Sequence, residues 1–234
     1  MATQTHERAA TTEEARRYLE YALDPSFTRE MAAIFGNAEP APAEIAFYDA
    51  KLSGTGELAN YLRPEEVAEL YNGDREFVMS RIREERGTTK TQMALSPDLL
   101  KMPEALVYAV IDHEKSHGAQ PKGKLAMKGI HAYTPFGVLP LGEMLVEGWA
   151  EYGLERKGRK PPSRYFDEIY GHGKTAYSRF RDLVYEVEEQ SPGITRQIMR
   201  AARRGGPNAA IRLIEGIPNI ENIVTKYACS MRKN

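Results

Sequence analysis

The sequence contains only one cysteine, Cys229, and therefore cannot form a disulfide bond within the chain. It also lacks any apolar run close to the roughly 18 residues that a membrane-spanning helix needs. Residues 1–10 are polar and show no apolar segment of the kind found in secretory signals. These absences predict a protein of a reducing, cytoplasmic setting that has no membrane partner.

The chain also carries very little net charge. The 32 lysines and arginines balance 33 aspartates and glutamates, which leaves a net charge of −1. A chain with so little net charge is not expected to attract nucleic acid or an anionic membrane. The spacing of Arg196, Arg200 and Arg204 does place three arginines on one helix face, but no aromatic residue lies among them. This stripe is typical of a solvated helix, and no nucleic-acid partner is predicted.

Helical patterns dominate the second half of the sequence. They cover residues 143–157, 163–188 with an interruption at 171–173, 192–203, 207–215 and 219–231. In the first half, a capping box at Thr11-Thr12-Glu13-Glu14 starts a helix that runs to about Leu23. The remaining predicted elements are helices at 28–35 and 64–71 and strands at 44–49 and 88–95.

The distribution of these elements predicts one domain. With 41% hydrophobic residues the chain can bury a substantial core. We predict that residues 1–10 are disordered and that residues 11–234 form a single domain. Strands fall only in its first lobe, residues 11–118, and helices make up its second lobe, residues 143–234. The sequence therefore favours an α+β class, with its most distinctive motif at the end of the first lobe.

That motif is the segment 113–117, which reads His-Glu-Lys-Ser-His. On a helix, His113 and His117 lie one turn apart on the same face, so two neutral imidazoles can bind one Zn²⁺ while Glu114 faces a metal-bound water. The stretch from Pro103 to Ile111 is largely apolar, which is typical of a buried helix. Buried histidines need polar partners, and a metal ion can serve as one.

A catalytic zinc site usually has three protein ligands, so a third ligand is needed. The pattern HExxHxxGxxH would require a histidine at position 123, which is glycine. The candidates are Glu143, Glu147, Glu151, His131 and His172. Glu147 is the best placed of them. It shares a helix face with Glu151 beside apolar residues, and two carboxylates there need a cation or a histidine N–H nearby.

The motif and the later segment Val146-Glu147-Gly148-Trp149-Ala150-Glu151-Tyr152 together resemble the gluzincin metallopeptidases. The likeness is greatest to the aminopeptidase N type, in which the HExxH helix is followed by a helix with an NEGFAxY-like sequence. The resemblance covers residues 88–190. It implies that Glu147 is the third zinc ligand. It also implies that Glu151 binds a ligand histidine and fixes the tautomer of its ring.

A second matching segment is 169–174, Ile-Tyr-Gly-His-Gly-Lys, which is similar to the VYEKG-like segment of the same aminopeptidases. In that segment a tyrosine stabilises the oxyanion, and the resemblance implies this role for Tyr170. His172 is the alternative candidate for this role, because thermolysin-like enzymes use a histidine to stabilise the oxyanion. Nothing in residues 40–112 matches the GxMEN-like segment that binds the free amino terminus of the substrate. Exopeptidase specificity is therefore not predicted.

The fold that the resemblance implies is an α+β, zincin-like (thermolysin-like) catalytic domain with a small sheet, an active-site helix and a helical C-terminal half. The strand at residues 88–95 resembles the edge strand that pairs with extended substrate in such folds. The implied activity is hydrolysis of a peptide or protein substrate, with Glu114 as general base toward a water that Zn²⁺ activates. The alternative is a catalytically silent gluzincin-like scaffold that binds zinc or a partner protein.

Overall fold

The computed structural model describes residues 12–35, 44–47, 58–62, 75–86, 90–120, 131–134, 137–171 and 175–229. Helices make up most of this part of the chain. In chain order they are α1 (Thr12–Leu23), α2 (Ser26–Phe35), α3 (Arg75–Arg86), α4 (Glu104–Ala119), α5 (Leu141–Arg156), α6 (Pro162–Tyr170), α7 (Ala176–Gln190), α8 (Ile194–Glu215) and α9 (Ile220–Cys229). A 3-10 helix at Pro97–Lys101 precedes α4.

Most of the helices predicted from periodicity are confirmed. The helix that starts at the capping box is α1, and it ends at Leu23 as predicted. The predicted interruption after residue 170 separates α6 from α7. The two helices predicted between residues 192 and 215 are one element, α8, with a kink at Gly206, whose φ of 71° lies outside the helical region. The predicted helix at 64–71 and the terminus at 1–10 lie outside the described residues.

The strands are short. Those that the structure describes have four residues each: β1 (Glu44–Phe47), β2 (Ala59–Leu62), β3 (Gln92–Leu95), β4 (His131–Thr134) and β5 (Gly137–Pro140). The predicted α+β, zincin-like (thermolysin-like) fold is wrong, because the described chain is mainly helical. The physical reason is that the larger apolar core is built from helix faces, and strands this short bury little apolar surface.

The strand predicted to bind substrate corresponds to β3, which lies between β1 and β2. It runs parallel to β1, with Gln92 opposite Glu44, and antiparallel to β2, with Leu95 opposite Ala59. All four residues of β3 are buried. The edge-strand prediction is therefore wrong, because both hydrogen-bonding edges of β3 are already paired. The other two strands, β4 and β5, form a separate antiparallel pair.

Two clusters of buried apolar side chains hold the helices together. The larger cluster joins α2, α5, α7, α8 and α9, and Trp149 is its largest fully buried member. The smaller cluster joins α1 and β3 to α4, with Tyr18, Leu95 and Ile111 among its members. Most of α4 packs on the smaller cluster, and Ala119 at its end reaches the larger one. The HExxH motif therefore lies where the two clusters meet.

Helices α5 and α7 approach each other closely at Gly148. A Cβ atom at this position would lie 2.2 Å from the backbone oxygen of Phe180 and 2.7 Å from Cγ2 of Val184. Only glycine, which has no Cβ, allows this approach. The preceding residue is Glu147, so the same contact helps to set the position of the predicted third ligand.

Gly148→Ala is expected to destabilise the fold by about 3 kcal/mol, because a clash with backbone cannot be relieved by a rotamer change. Gly153→Ala is the matched control on the same helix. Its Cβ would also meet an atom at 2.2 Å, but that atom is the terminal Cε of Met31, which can move. We expect a loss below about 1 kcal/mol for the control. Thermal unfolding of both variants measures the difference, and equal losses would contradict the close approach at Gly148.

Candidate metal centre

His113, His117 and Glu147 come together from two packed helices, since α4 carries the histidines and α5 carries the glutamate. His113 Nε2 lies 3.1 Å from both Glu147 Oε2 and His117 Nε2, and His117 Nε2 lies 3.4 Å from Glu147 Oε2. Among the described residues, this group alone brings three potential ligand atoms within 4.8 Å of one another. The three residues predicted as metal ligands are therefore adjacent in space.

The contact of His113 with Glu151 determines which ring nitrogen carries a proton. His113 Nδ1 lies 2.8 Å from Glu151 Oε1, and a carboxylate can only accept, so Nδ1 donates. In the neutral ring Nε2 then has a free lone pair, and it lies beside His117 Nε2 and the Glu147 carboxylate. Electron-pair donors this close repel one another unless a proton or a metal ion lies between them. The arrangement therefore calls for a cation.

The separations fit a tetrahedral metal ion such as Zn²⁺. Zinc binds imidazole nitrogen and carboxylate oxygen at about 2.0 to 2.2 Å, and two ligands at the shorter of these lengths stand about 3.3 Å apart in a tetrahedron. The observed separations of 3.1, 3.1 and 3.4 Å lie on either side of that value. Two nitrogens and one carboxylate oxygen are also the ligand set of several catalytic zinc sites.

The electrostatics of the centre also favour a bound cation. Burial by itself lowers the pKa of His113, but hydrogen bonds to Glu147 and Glu151 and their negative charges raise it well above its usual value. Burial by itself raises the pKa of Glu147, but the charge of His117 and the hydrogen bonds to both histidines lower it far below its usual value. Glu147 and Glu151 thus place negative charge beside His113, which a bound cation would offset.

Glu151 has the geometry predicted for a residue that orients a ligand histidine. Its side chain is fully buried. While Oε1 accepts from His113 Nδ1, Oε2 accepts from the backbone N–H of Ser163 at 3.1 Å. Ser163 lies in the first turn of α6, where the N–H groups have no partner within the helix. Because both oxygens are held, the carboxylate can keep the His113 ring in one orientation.

Glu114 follows His113 in α4, and its exposed fraction is only 6%. Helical geometry turns each residue by about 100° from the one before it, so Glu114 lies about 60° around the axis from His117. The predicted base and the two histidines thus share one face of α4. The role of Glu114 as general base stays a prediction.

The other candidates for the third ligand are less well placed or lie outside the description. Glu143 stands one turn before Glu147 on α5 but is not part of the ligand group. Burial, with the charge of Glu147, raises the pKa of Glu143. His131 lies in β4, but its side chain is outside the described part of the structure, and His172 is outside it altogether.

Two tyrosines bear on the predicted oxyanion donor. Tyr170 is the last residue of α6, and 65% of its surface is exposed, with its ring 6.4 Å from that of Phe166. Tyr177, in the first turn of α7, packs edge-to-face against His113 with ring centroids 5.3 Å apart. Sequence reasoning missed Tyr177, because only the packing of α7 brings it to a ligand histidine. The role of Tyr170 stays a prediction.

A second polar group supports α4 on the side away from the ligands. Asp112 accepts hydrogen bonds from Tyr21 at 2.7 Å and from Arg159 at 2.6 Å. Lys115 is buried with its Nζ 4.2 Å from the centre of the Tyr21 ring, and it donates to the Tyr21 carbonyl. Burial raises the pKa of Asp112 and lowers that of Lys115 despite their charged partners. These contacts anchor α4 to α1 and explain a lysine inside the motif.

Comparison with known proteins adds no family assignment. The chain matches no family model, no curated protein and no solved structure. The functional argument therefore rests on the residues and the geometry of the metal centre.

Proposed function

We propose that this protein is a zinc-dependent peptidase, which hydrolyses peptide bonds in a peptide or protein substrate. The observation that carries the proposal is the convergence of the ligand atoms of His113, His117 and Glu147 at separations of 3.1 to 3.4 Å. The likeness of the two motifs to those of gluzincin metallopeptidases supports the same class of reaction. This argument concerns the site alone, because similar sites occur on unrelated folds.

Each residue of the centre has a definite task in this reaction. A metal ion held by His113, His117 and Glu147 would activate a water molecule and polarise the substrate carbonyl. Glu114 accepts the proton of the attacking water and returns it to the leaving amine, which requires a carboxylate that is not itself a ligand. Glu151 holds His113 in the tautomer that leaves Nε2 free to bind the metal.

Three converging ligands is the number that catalytic zinc sites use. Structural zinc sites usually have four protein ligands, whereas catalytic sites have three and keep a position for water or substrate. In the part of the chain that the structure describes, three ligand groups converge. A catalytically silent zinc-binding scaffold is the alternative, and an activity assay decides between the two.

The direct test combines metal analysis with a cleavage assay. The protein is analysed for metal, stripped with a chelator, reconstituted with Zn²⁺ and incubated with a diverse peptide library, whose products are identified by mass spectrometry. We expect about one Zn²⁺ per chain and cleavage that disappears on chelation and returns with zinc. Bound zinc without cleavage of any peptide would establish the silent scaffold. A chain that takes up no metal would exclude both functions.

Tyr177→Phe is expected to lower kcat for peptide cleavage by about 10²-fold with little change in KM or zinc content. The reason is that the Tyr177 ring packs against His113, and a tyrosine hydroxyl that reaches the substrate from there can donate to the oxyanion as charge develops on it. Tyr170→Phe is measured in parallel, because the sequence predicts the same role for Tyr170, whose side chain is 65% exposed. In steady-state kinetics, a loss of activity in Tyr170→Phe alone would confirm the sequence-based assignment. A loss confined to His172→Ala would assign the role to that histidine.

The proposed setting of the protein is the cytoplasm. No helix in the described ranges is long and apolar enough to cross a membrane. A single cysteine, Cys229, suits a reducing compartment. The stripe of Arg196, Arg200 and Arg204 is exposed on α8, as a solvated helix face would be, and no nucleic-acid partner is part of the proposal.

A further inference from the structure

A buried arginine stands behind the metal centre. Arg181, on α7, has no exposed surface. Its guanidinium donates to Ser163 Oγ at 2.5 Å, to Asp167 Oδ2 at 3.2 Å and to Asp182 Oδ1 at 3.1 Å. A buried charge is costly unless it is paired, and the planar fork of arginine can reach several acceptors at once, which lysine cannot do in the same geometry. Arg181 therefore has a role inside the fold, unlike the surface arginines that keep a protein soluble.

Ser163 connects the arginine to the metal centre. Its hydroxyl accepts from Arg181, and its backbone N–H donates to Glu151 Oε2 at 3.1 Å. Glu151 Oε1 in turn accepts from His113 Nδ1 at 2.8 Å. Arg181, Ser163 and Glu151 are all fully buried, so water does not compete for these hydrogen bonds. A continuous path of buried contacts thus runs from α7 to a predicted metal ligand.

The same arginine contacts α6 at a second point. Asp167, one turn after Ser163, accepts from Arg181 and from Ser178 Oγ, the latter at 2.5 Å. Helix α6 is therefore tied to α7 at two residues, Ser163 in its first turn and Asp167 in its second. The positive end of the α6 dipole lies at the first turn and favours the negative charge of Glu151.

We infer that Arg181 is a positioning residue for the metal centre, which holds Ser163 and the start of α6 so that Glu151 keeps His113 in its metal-binding orientation. The inference rests on the proposed metal site. In the competing explanation, Arg181 only fastens α6 to α7. Its loss would then lower the stability of the fold without acting on zinc through Glu151.

The test is a double-mutant cycle between Arg181→Met and Glu151→Gln, with zinc affinity measured by competition with a chromophoric chelator. Glu151→Gln should weaken zinc binding by about 10- to 100-fold, the usual effect of losing a partner of a ligand histidine. Arg181→Met should weaken it by about 10-fold in the wild-type background but by less than about twofold in Glu151→Gln. Such non-additivity is expected only if Arg181 acts through Glu151.

Two further variants separate positioning from folding. Arg164→Met is the matched control, because it removes another ion pair of α6, with Glu155 at 2.6 Å, and should leave zinc affinity unchanged. Ser163→Ala takes the place of Arg181→Met in the cycle if the latter does not fold, since it breaks the contact with Arg181 but keeps the N–H. In the metal-free protein, the Nδ1–H resonance of His113 should change in Arg181→Met as it does in Glu151→Gln.

Two results would overturn the inference. In one, Arg181→Met lowers the melting temperature but leaves zinc affinity within about twofold of wild type. In the other, it weakens zinc binding equally in both backgrounds. Neither result would contradict the proposed peptidase activity. Conversely, a wild-type protein that binds zinc and follows the cycle but cleaves no peptide would refute the proposed reaction and leave the role of Arg181 intact.

Discussion

Glu114→Gln is expected to abolish nearly all peptide hydrolysis while leaving zinc content and fold unchanged. The amide of glutamine has nearly the shape of the carboxylate, but it cannot accept the proton of the attacking water. The loss in kcat should be about 10²- to 10⁴-fold, the usual contribution of a general base. Steady-state rates on a cleaved library peptide, with metal analysis of the same sample, measure both quantities.

Glu104→Gln is the matched control for this experiment. It makes the same chemical change on the same helix, in the first turn of α4 and about 15 Å along the axis from Glu114. It should retain the wild-type rate. Full activity in Glu114→Gln would show that this glutamate is not the base, and loss of zinc from that variant would assign it to metal binding instead.

Glu147→Ala is expected to lower zinc affinity by more than about 100-fold. The substitution removes one of the three ligands, and even the loss of a hydrogen-bond partner of a ligand histidine costs about 10- to 100-fold. Peptide hydrolysis should be lost in parallel at ordinary zinc concentrations. Competition with a chelator of known affinity measures the first effect, and the library assay measures the second.

Two rival ligands provide the controls for Glu147. Glu143→Ala changes a carboxylate one turn away on the same helix, and His131→Ala changes the histidine of β4. Both variants should bind zinc as tightly as the wild type does. If Glu147→Ala keeps its zinc while either of these variants loses it, the third ligand has been assigned wrongly.

The helices and the pairing of His113 with His117 could be predicted because each prediction used residues that are close in sequence. The capping box before α1 and the glycine interruption after α6 are local signals, and both elements end where expected. The spacing of His113 and His117, one turn apart, likewise needs only the period of a helix. Glu147 was chosen among five candidates partly by resemblance, and in the structure its carboxylate lies beside both histidines.

The fold class and the central position of β3 could not be predicted in the same way. Alternating residues at 88–95 indicate a strand, but they do not reveal how many neighbours the strand has. Two partners, β1 and β2, cover both of its edges, and both come from segments before it in the chain. Because strand pairing depends on distant segments, a local pattern could not distinguish an edge strand from a central one.

The polar residues behind the metal centre were missed for the same reason. In the sequence, Arg181 cannot be distinguished from the charged residues of an exposed helix face. In the structure it is paired with Ser163 and Asp167. Asp112 directly precedes the motif, but nothing in the sequence indicates that Tyr21 and Arg159 donate hydrogen bonds to it. Burial of a charge is decided by packing between elements, and sequence periodicity reports only which face of a helix is apolar.

By itself the sequence determined that two side chains can bind one metal ion, because ligand chemistry and one-turn spacing are local properties of His113 and His117. Only the tertiary structure shows that the carboxylate of Glu147, 34 residues beyond His113, lies 3.1 Å from His113 Nε2. The distance between two helices is set by the side chains that pack between them and behind them. At Gly148 the backbone of Phe180 can come close because glycine has no Cβ atom. Such contacts depend on the whole fold, so no stretch of sequence specifies them alone.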